Sequence, residues 1–349
     1  MISFYPGPSK VYESIPQYVR EAYDEGILSI NHRSPEFIEI SKKTINLLKQ
    51  KLSIPEDYSV FYTSSATECW EIISESLIAN QSTHFFNGAF GKKWCEYTQK
   101  LTNSVKAVPF TIEEYLEPQV DNSDVICITQ NETSNGTAVN QNIIAQIKRA
   151  NPDAVVAIDA TSSLAGIHLD FKNADIWFAS VQKCLGLPAG MAIMICSPKA
   201  IAKASELNRR KHYNSLSFMI DKMKDYQTTY TPNVLGIYLL MRTLEDRKSI
   251  EQIDQEINNR FEQWMTIINE IEGLKHLVSN PEVHSKTVIP LSSSQEQIEL
   301  IKSKAKQSGF LLGNGYGEWS SNTFRIANFP AITNQDIVSL QRFLKDCFV

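Results

Sequence analysis

Two stretches decide how this chain folds: Ala154-Val155-Val156-Ala157-Ile158-Asp159-Ala160-Thr161-Ser162-Ser163, and after it Ile176-Trp177-Phe178-Ala179-Ser180-Val181-Gln182-Lys183-Cys184-Leu185-Gly186. Each begins as a short apolar run without helical periodicity and breaks off at polar residues, as a buried strand does. An acid closes the first run and a lysine follows the second. Working outward, similar runs recur at 58–62, 83–86, 105–110, 124–129, 154–158, 175–180 and 191–196, bounded by turn residues and rich in Val, Ile and Phe. Helix-like stretches separate them. Ser34-Pro35-Glu36 is a helix start, with Ser as N-cap, Pro at the first position and Glu at the positive end of the dipole. Strands joined through helices are βαβ units. The spacing therefore predicts an α/β fold with a doubly wound, mostly parallel seven-stranded sheet and helices on both faces.

Past Leu240 the pattern changes. Residues 249–271 read as one long amphipathic helix with Ile250, Ile253, Ile257, Phe261 and Trp264 on a stripe. A strand (287–291), a helix (295–306), a strand (324–327) and a final helix (334–348) follow, which predicts a smaller α+β C-terminal domain. The expected division is an N-terminal segment 1–15 associated with the active site and small domain, a large domain 16–240 and a small domain 241–349.

A chain of 349 residues, 42% hydrophobic and 21% charged, can bury a substantial core. A net charge of −5 argues against a nucleic-acid surface, and no apolar run approaches the ~20 residues of a membrane span. The N-terminus shows neither a basic region nor a long apolar stretch, so no signal peptide is expected. The six cysteines are scattered, with no C-x-x-C pair and no histidine spaced for zinc, so no metal is expected. They read as reduced structural thiols, which points to the cytoplasm. Cys184, beside the lysine, reads as packing.

Lys183 and Asp159 are the residue types that pyridoxal 5'-phosphate requires. A lysine amine forms its Schiff base, and an acid keeps the pyridinium nitrogen protonated so that the ring acts as an electron sink. Other strand ends add polar or aromatic groups. Ser65, Ala66 and Thr67, at a helix N-terminus, can cradle a phosphate, although an ordinary Ser/Thr N-cap reads the same way. Phe90, between Gly88 and Gly91, can lie on a cofactor ring or belong to the core. Asn131-Glu132-Thr133-Ser134-Asn135-Gly136 is either a ligand-binding edge or a turn in which Gly136 has positive φ.

In combination these segments resemble the class V aminotransferases, within the pyridoxal-phosphate enzymes of fold type I. The resemblance runs from Phe4-Tyr5-Pro6-Gly7-Pro8-Ser9 to Phe324-Arg325-Ile326-Ala327-Asn328-Phe329-Pro330. Asn31-His32-Arg33-Ser34-Pro35, Asn131-Glu132-Thr133, Asp159-Ala160-Thr161-Ser162-Ser163 and Gln182-Lys183 are most similar to the phosphoserine aminotransferase family. The resemblance implies a ping-pong transaminase. Lys183 would carry the cofactor and Asp159 would hold its ring nitrogen. Thr133 would meet its phenolic oxygen, Phe90 would stack on it, and Ala66, Thr67, Ser162 and Gln182 would hold its phosphate. It also implies a homodimer with shared active sites. Tyr230 and Thr231 would reach the neighbouring subunit's phosphate, and His32 and Arg33 would bind the substrate's distal anion across the interface. Arg325 would clamp the α-carboxylate, as a bidentate guanidinium does; the other reading of Arg325 is a surface residue on an edge strand.

The resemblance departs at one place. Many members carry a second His-Arg pair shortly before the carboxylate-binding arginine, and an arginine in the phosphate loop. Leu312-Gly313-Asn314-Gly315-Tyr316-Gly317-Glu318-Trp319 has no such pair and 63–67 no arginine, which leaves Lys10, Lys92 and Lys93 as substitutes. The first expectation is amino transfer from L-glutamate to 3-phosphohydroxypyruvate, giving O-phosphoserine; the alternative is an alanine– or serine–glyoxylate (or pyruvate) aminotransferase, which the missing cations favour and which His32-Arg33 and the segment around Arg325 oppose. A lyase such as a cysteine desulfurase would need a mobile-loop cysteine, and the segment before Arg325 has none.

Overall fold

A computed structural model describes residues 1–102 and 104–348. Its main sheet has seven strands in the order Ser59–Thr63, Ala192–Cys196, Ile176–Ser180, Val155–Asp159, Val125–Thr129, Ser82–Phe86, Val105–Pro109. Ala192–Cys196 runs opposite to the other six strands, and the four pairings that do not involve it are parallel. All seven expected strands are present, each displaced by a residue or so at its ends. The fold is thus the expected α/β arrangement, with a largely parallel sheet.

Side-chain alternation explains why the central runs are apolar throughout. Phe61, Cys127, Ala157, Phe178 and Met194 pack on one face with Trp70, Ile73 and Trp94. Their sequence neighbours Tyr62, Ile126, Ile158, Ala179 and Ile193 pack on the other with Phe37, Leu48, Ile144 and Leu240. Helices cover both faces, so both sets are buried. The helix Pro35–Leu52 begins as its sequence predicts: the Ser34 hydroxyl accepts from Phe37 N (3.4 Å), Pro35 opens it, and Glu36 lies in its first turn.

A second sheet, in the order Ile2–Phe4, Phe310–Asn314, Thr323–Ala327, Val288–Ser292, Lys275–His276, lies in the C-terminal part. Three of these strands have no counterpart in the sequence reading. Ile2–Phe4 is too short for a period-two pattern, and its parallel partner is Phe310–Leu312, at the other end of the chain. Phe310–Asn314 contains Gly313, where a Cβ would lie 2.4 Å from Pro6 Cδ, so close packing of the N-terminal segment replaces β propensity. Lys275–His276 has only two residues. The long helix spans Ile250–Glu270 behind a capping box of Ser249 and Gln252. The boundary expected at residue 240 falls inside the helix Val234–Asp246; that helix continues because Leu239, Leu240, Met241 and Leu244 are buried, and it ends at Asp246. No described helix is long and apolar enough to cross a membrane.

Candidate active site

Parallel register brings the ends of the central strands to one edge. Thr129 pairs with Asp159 and Asp159 with Phe178, while Ser180 and Thr63 both face Ala192. This is the carboxyl edge where open α/β sheets bind ligands. A cavity of about 350 Å³ lies there, lined by Asp159, Lys183, Thr133, Phe90, Ala66, Thr67, Gln182 and Arg325, together with Tyr5–Gly7, Lys93 and Tyr316.

Lys183 is 7% exposed. Its Nζ donates to Thr133 Oγ1 (2.7 Å) and Ser162 Oγ (2.9 Å), and those two hydroxyls also bond to each other. Burial pushes its pKa down to about 8, against the pull of Asp159 and Glu132. The N-terminal segment crosses the lysine stem at Gly7. A Cβ there would lie 2.7 Å from Lys183 Cε, and φ is +135°, so the position calls for glycine.

Asp159, 4% exposed, accepts from Trp70 Nε1 (3.2 Å) at one oxygen and from the Thr161 N–H (2.9 Å) at the other. Burial raises its pKa despite these donors and the nearby Lys183 charge. It forms no ion pair among the described residues, so a cation presented from the cavity would complete it. Trp70 lies on the buried face of the helix Ala66–Leu77. The signal that could have marked it is chemical: a buried indole N–H needs an acceptor.

Ser65 caps the helix Ala66–Leu77, its hydroxyl accepting from Glu68 N (3.1 Å), so the ordinary-cap reading holds for its side chain. Ala66 N donates to Ser180 Oγ (3.1 Å), a hydroxyl that was not singled out in the sequence. The buried Gln182 Oε1, Thr161 Oγ1 and Thr129 Oγ1 lack hydrogen-bond partners among the described residues, and all three residues line the cavity. Ser162, expected among the phosphate holders, is not among the residues that line the cavity; its hydroxyl bonds to Lys183 Nζ (2.9 Å) and to Thr133 Oγ1, and its carbonyl accepts from Asn131 Nδ2 (3.0 Å).

Phe90 lies in the first turn of the helix Ala89–Leu101, where the buried Glu132 carboxylate accepts from Phe90 N and Gly91 N, both to Oε2 at 3.1 Å. Its ring centroid lies 5.4 Å from Lys183 Nζ and 5.7 Å from the Tyr316 ring. Gly136 has φ +70° and makes the turn of the Asn131–Ala138 hairpin. Arg325 is not on an edge strand. It lies between Gly313 and Pro290, 4% exposed, with Nε donating to Asn314 O (2.7 Å) and Nη1 to Thr133 O (2.6 Å). Nη2 has no hydrogen bond among the described residues.

Four expected residues lie away from their own chain's cavity. Arg33 Nη1 donates to Gln227 Oε1 (2.9 Å), His32 stands edge-on to Phe37, and Tyr230 Oη donates to Tyr62 O (3.4 Å). Thr231, like these, is absent from the cavity lining. Cys184 is buried, its thiol pushed up to about 12 and donating to Ser162 O (3.3 Å), as packing requires.

A buried amine, a buried acid and a buried guanidinium around one cavity at this sheet edge define a class of protein. The family model for class-V aminotransferases matches residues 6–317, and the chain belongs to that family. Among individual proteins, it is 25% identical to the phosphoserine aminotransferase of Rhodococcus opacus, over 96% of this chain and 92% of that one. It is similar to the crystal structure of a phosphoserine aminotransferase from Cytophaga hutchinsonii, with 31% identity, a TM-score of 0.94, and 99% and 98% of the two chains covered. An aspartate aminotransferase of Thermus thermophilus shares the fold, with a TM-score of 0.87, 17% identity, and 100% and 99% coverage. The family implies dependence on pyridoxal phosphate, and the donor set fits it: a free amine, an unpaired buried acid, a helix N-terminus and three orphaned polar atoms.

Proposed function

We propose that this chain holds pyridoxal 5'-phosphate in the cavity and transfers an amino group from L-glutamate to 3-phosphohydroxypyruvate, yielding O-phosphoserine and 2-oxoglutarate. One observation carries the reading: Lys183, Asp159 and Arg325 converge on one cavity in a chain 31% identical to a protein called a phosphoserine aminotransferase. Lys183 would hold the cofactor through its amine and Asp159 through the ring nitrogen. Phe90 would cover a ring face and Thr133 would donate to the ring oxygen. Ala66, Thr67 and Gln182 would take the phosphate at the N-terminus of Ala66–Leu77. When bound, the cofactor supplies a carbon that condenses with amines and a ring that withdraws electrons.

The protein's own residues do the rest. Arg325 binds the substrate α-carboxylate through the guanidinium edge it does not spend on Asn314 and Thr133. Lys183 Nζ takes the proton from the substrate Cα and returns one as an ammonium. Its burial, which lowers the pKa to about 8, leaves more free amine near neutrality than an ordinary lysine has. Thr133 and Ser162 hold that nitrogen at the cavity wall. The enzyme works as a cytoplasmic homodimer, with His32, Arg33, Tyr230 and Thr231 serving the partner's site.

The absence of a second His-Arg pair in 312–319 favours one other reading, an alanine– or serine–glyoxylate aminotransferase. The experiment mixes holoenzyme separately with O-phosphoserine, L-glutamate, L-alanine and L-serine and follows the cofactor absorbance. Rapid conversion by O-phosphoserine and glutamate, with little by the others, is expected. Conversion by alanine or serine but not O-phosphoserine would leave the transaminase and overturn this substrate.

A further inference from the structure

The substrate's distal anion lacks the cations that the sequence comparison led one to expect, and three lysines stood as substitutes. The structure separates them. Lys10 Nζ is bound to Asp336 Oδ2 (2.7 Å) and Glu13 Oε1 (3.0 Å). Lys92 lies 3.8 Å from Glu96 on the outside of its helix. Lys93 lines the cavity and pairs with no carboxylate among the described residues; its Nζ donates to Tyr316 Oη (2.9 Å).

Tyr316 comes from the very loop that lacks the His-Arg pair. The loop is tightly folded: a Cβ at Gly315 would lie 2.2 Å from Thr323 Oγ1 and 2.3 Å from Trp319 O. The Tyr316 ring centroid is 5.6 Å from Lys93 Nζ, 5.5 Å from Arg325 Cζ and 5.7 Å from the Phe90 ring. One aromatic side chain thus has the α-carboxylate arginine and the unpaired lysine both beside it. An ammonium has three donors and Lys93 spends one on Tyr316; a phenol oxygen that accepts from a lysine still has its own O–H to donate. Two charge-assisted donors and one phenolic donor therefore remain at the cavity wall, a set suited to a phosphate.

We propose that Lys93 and Tyr316 form the subsite for the substrate's distal phosphate. This rests on the phosphoserine reading above and names the cation which that reading lacks in this chain. Lys93 contributes the charge; Tyr316 orients it and adds one hydrogen bond.

The test uses holoenzyme carrying Lys93→Gln, Lys93→Arg or Tyr316→Phe, each checked for an unchanged cofactor spectrum. Amino-donor half-reactions are measured with O-phosphoserine and with L-alanine, which has no distal anion. For Lys93→Gln the ratio of kcat/KM for O-phosphoserine to that for L-alanine should fall about 10- to 100-fold, mainly through KM. Lys93→Arg should recover most of the loss, and Tyr316→Phe should lose less. An unchanged ratio in Lys93→Gln, with O-phosphoserine accepted by the wild type, overturns the subsite and leaves the function standing. Refusal of O-phosphoserine by the wild type overturns the function instead. Inhibition of the L-glutamate half-reaction by inorganic phosphate then decides the subsite: inhibition weakened about tenfold or more in Lys93→Gln upholds it, and equal or no inhibition removes it.

Discussion

The Lys183 amine is buried with two hydroxyls as hydrogen-bond partners and feels two buried acids, Asp159 and Glu132. Its folded pKa of about 8 lies below the ordinary 10.5 because burial penalises the ammonium. With a depressed folded pKa, the stability it contributes is present above pH 10.5 and is lost as pH falls through about 8. In cofactor-free protein, Lys183→Met should therefore be more stable than wild type by a constant margin below pH 8, and the margin should shrink between pH 8 and 10.5. Denaturant unfolding across that range measures it; a margin independent of pH would contradict the burial argument. The same residue replaced by alanine in the holoenzyme should lose about 10²- to 10⁴-fold in turnover, as removal of a general acid–base does. Asp159 and Lys183 are visible in the sequence because each stands just beyond an apolar strand. That the Ser162 hydroxyl meets Lys183 and Thr133 is not visible there, since the direction of a side chain in a turn depends on partners distant in the chain.

At the scale of elements, the helix Ala89–Leu101 aims Phe90, and it does so through a residue that is not its own. The Glu132 carboxylate accepts from Phe90 N and Gly91 N, and its other oxygen accepts from Ser134 N (2.9 Å). Gly88 leaves room for it: a Cβ there would lie 2.3 Å from Glu132 Cγ. At Gly91 a Cβ would lie 2.6 Å from Phe86 Cβ. The two glycines that flank the aromatic ring in the sequence are thus needed for packing, not for unusual φ. Glu132→Ala leaves buried helix N–H groups unpaired and should destabilise the protein by about 1–3 kcal/mol, with weaker cofactor retention; Glu132→Gln should recover part of it. Equilibrium unfolding and cofactor dissociation rates measure both, and a neutral Glu132→Ala would show that the cap does not hold Phe90.

At the scale of the whole molecule, one chain's cavity is lined by none of His32, Arg33, Tyr230 and Thr231. If sites are shared, mixing Lys183→Ala with Arg33→Ala subunits creates hybrid dimers in which one site has both residues intact. The mixture should show O-phosphoserine kcat/KM above that of either variant alone after exchange of subunits. No gain on mixing, with hybrids verified by mass, would assign Arg33 to its own chain.

The strands of the seven-stranded sheet, the helix start at Ser34-Pro35 and the order of polar strand ends were determined by the sequence itself, because an unbroken apolar run and an N-cap are patterns among residues close along the chain. Asp159, Lys183 and Phe90 were legible for that reason. The tertiary structure decided what depends on distant partners: Ile2–Phe4 pairing with Phe310–Leu312, Arg325 buried inside the second sheet, and the Trp70 indole reaching Asp159. It also decided which of three lysines reaches the cavity. Lys92 and Lys93 are adjacent and chemically identical, but a helix turns about 100° per residue, and only the packed fold sets one toward Glu96 and the other toward Tyr316.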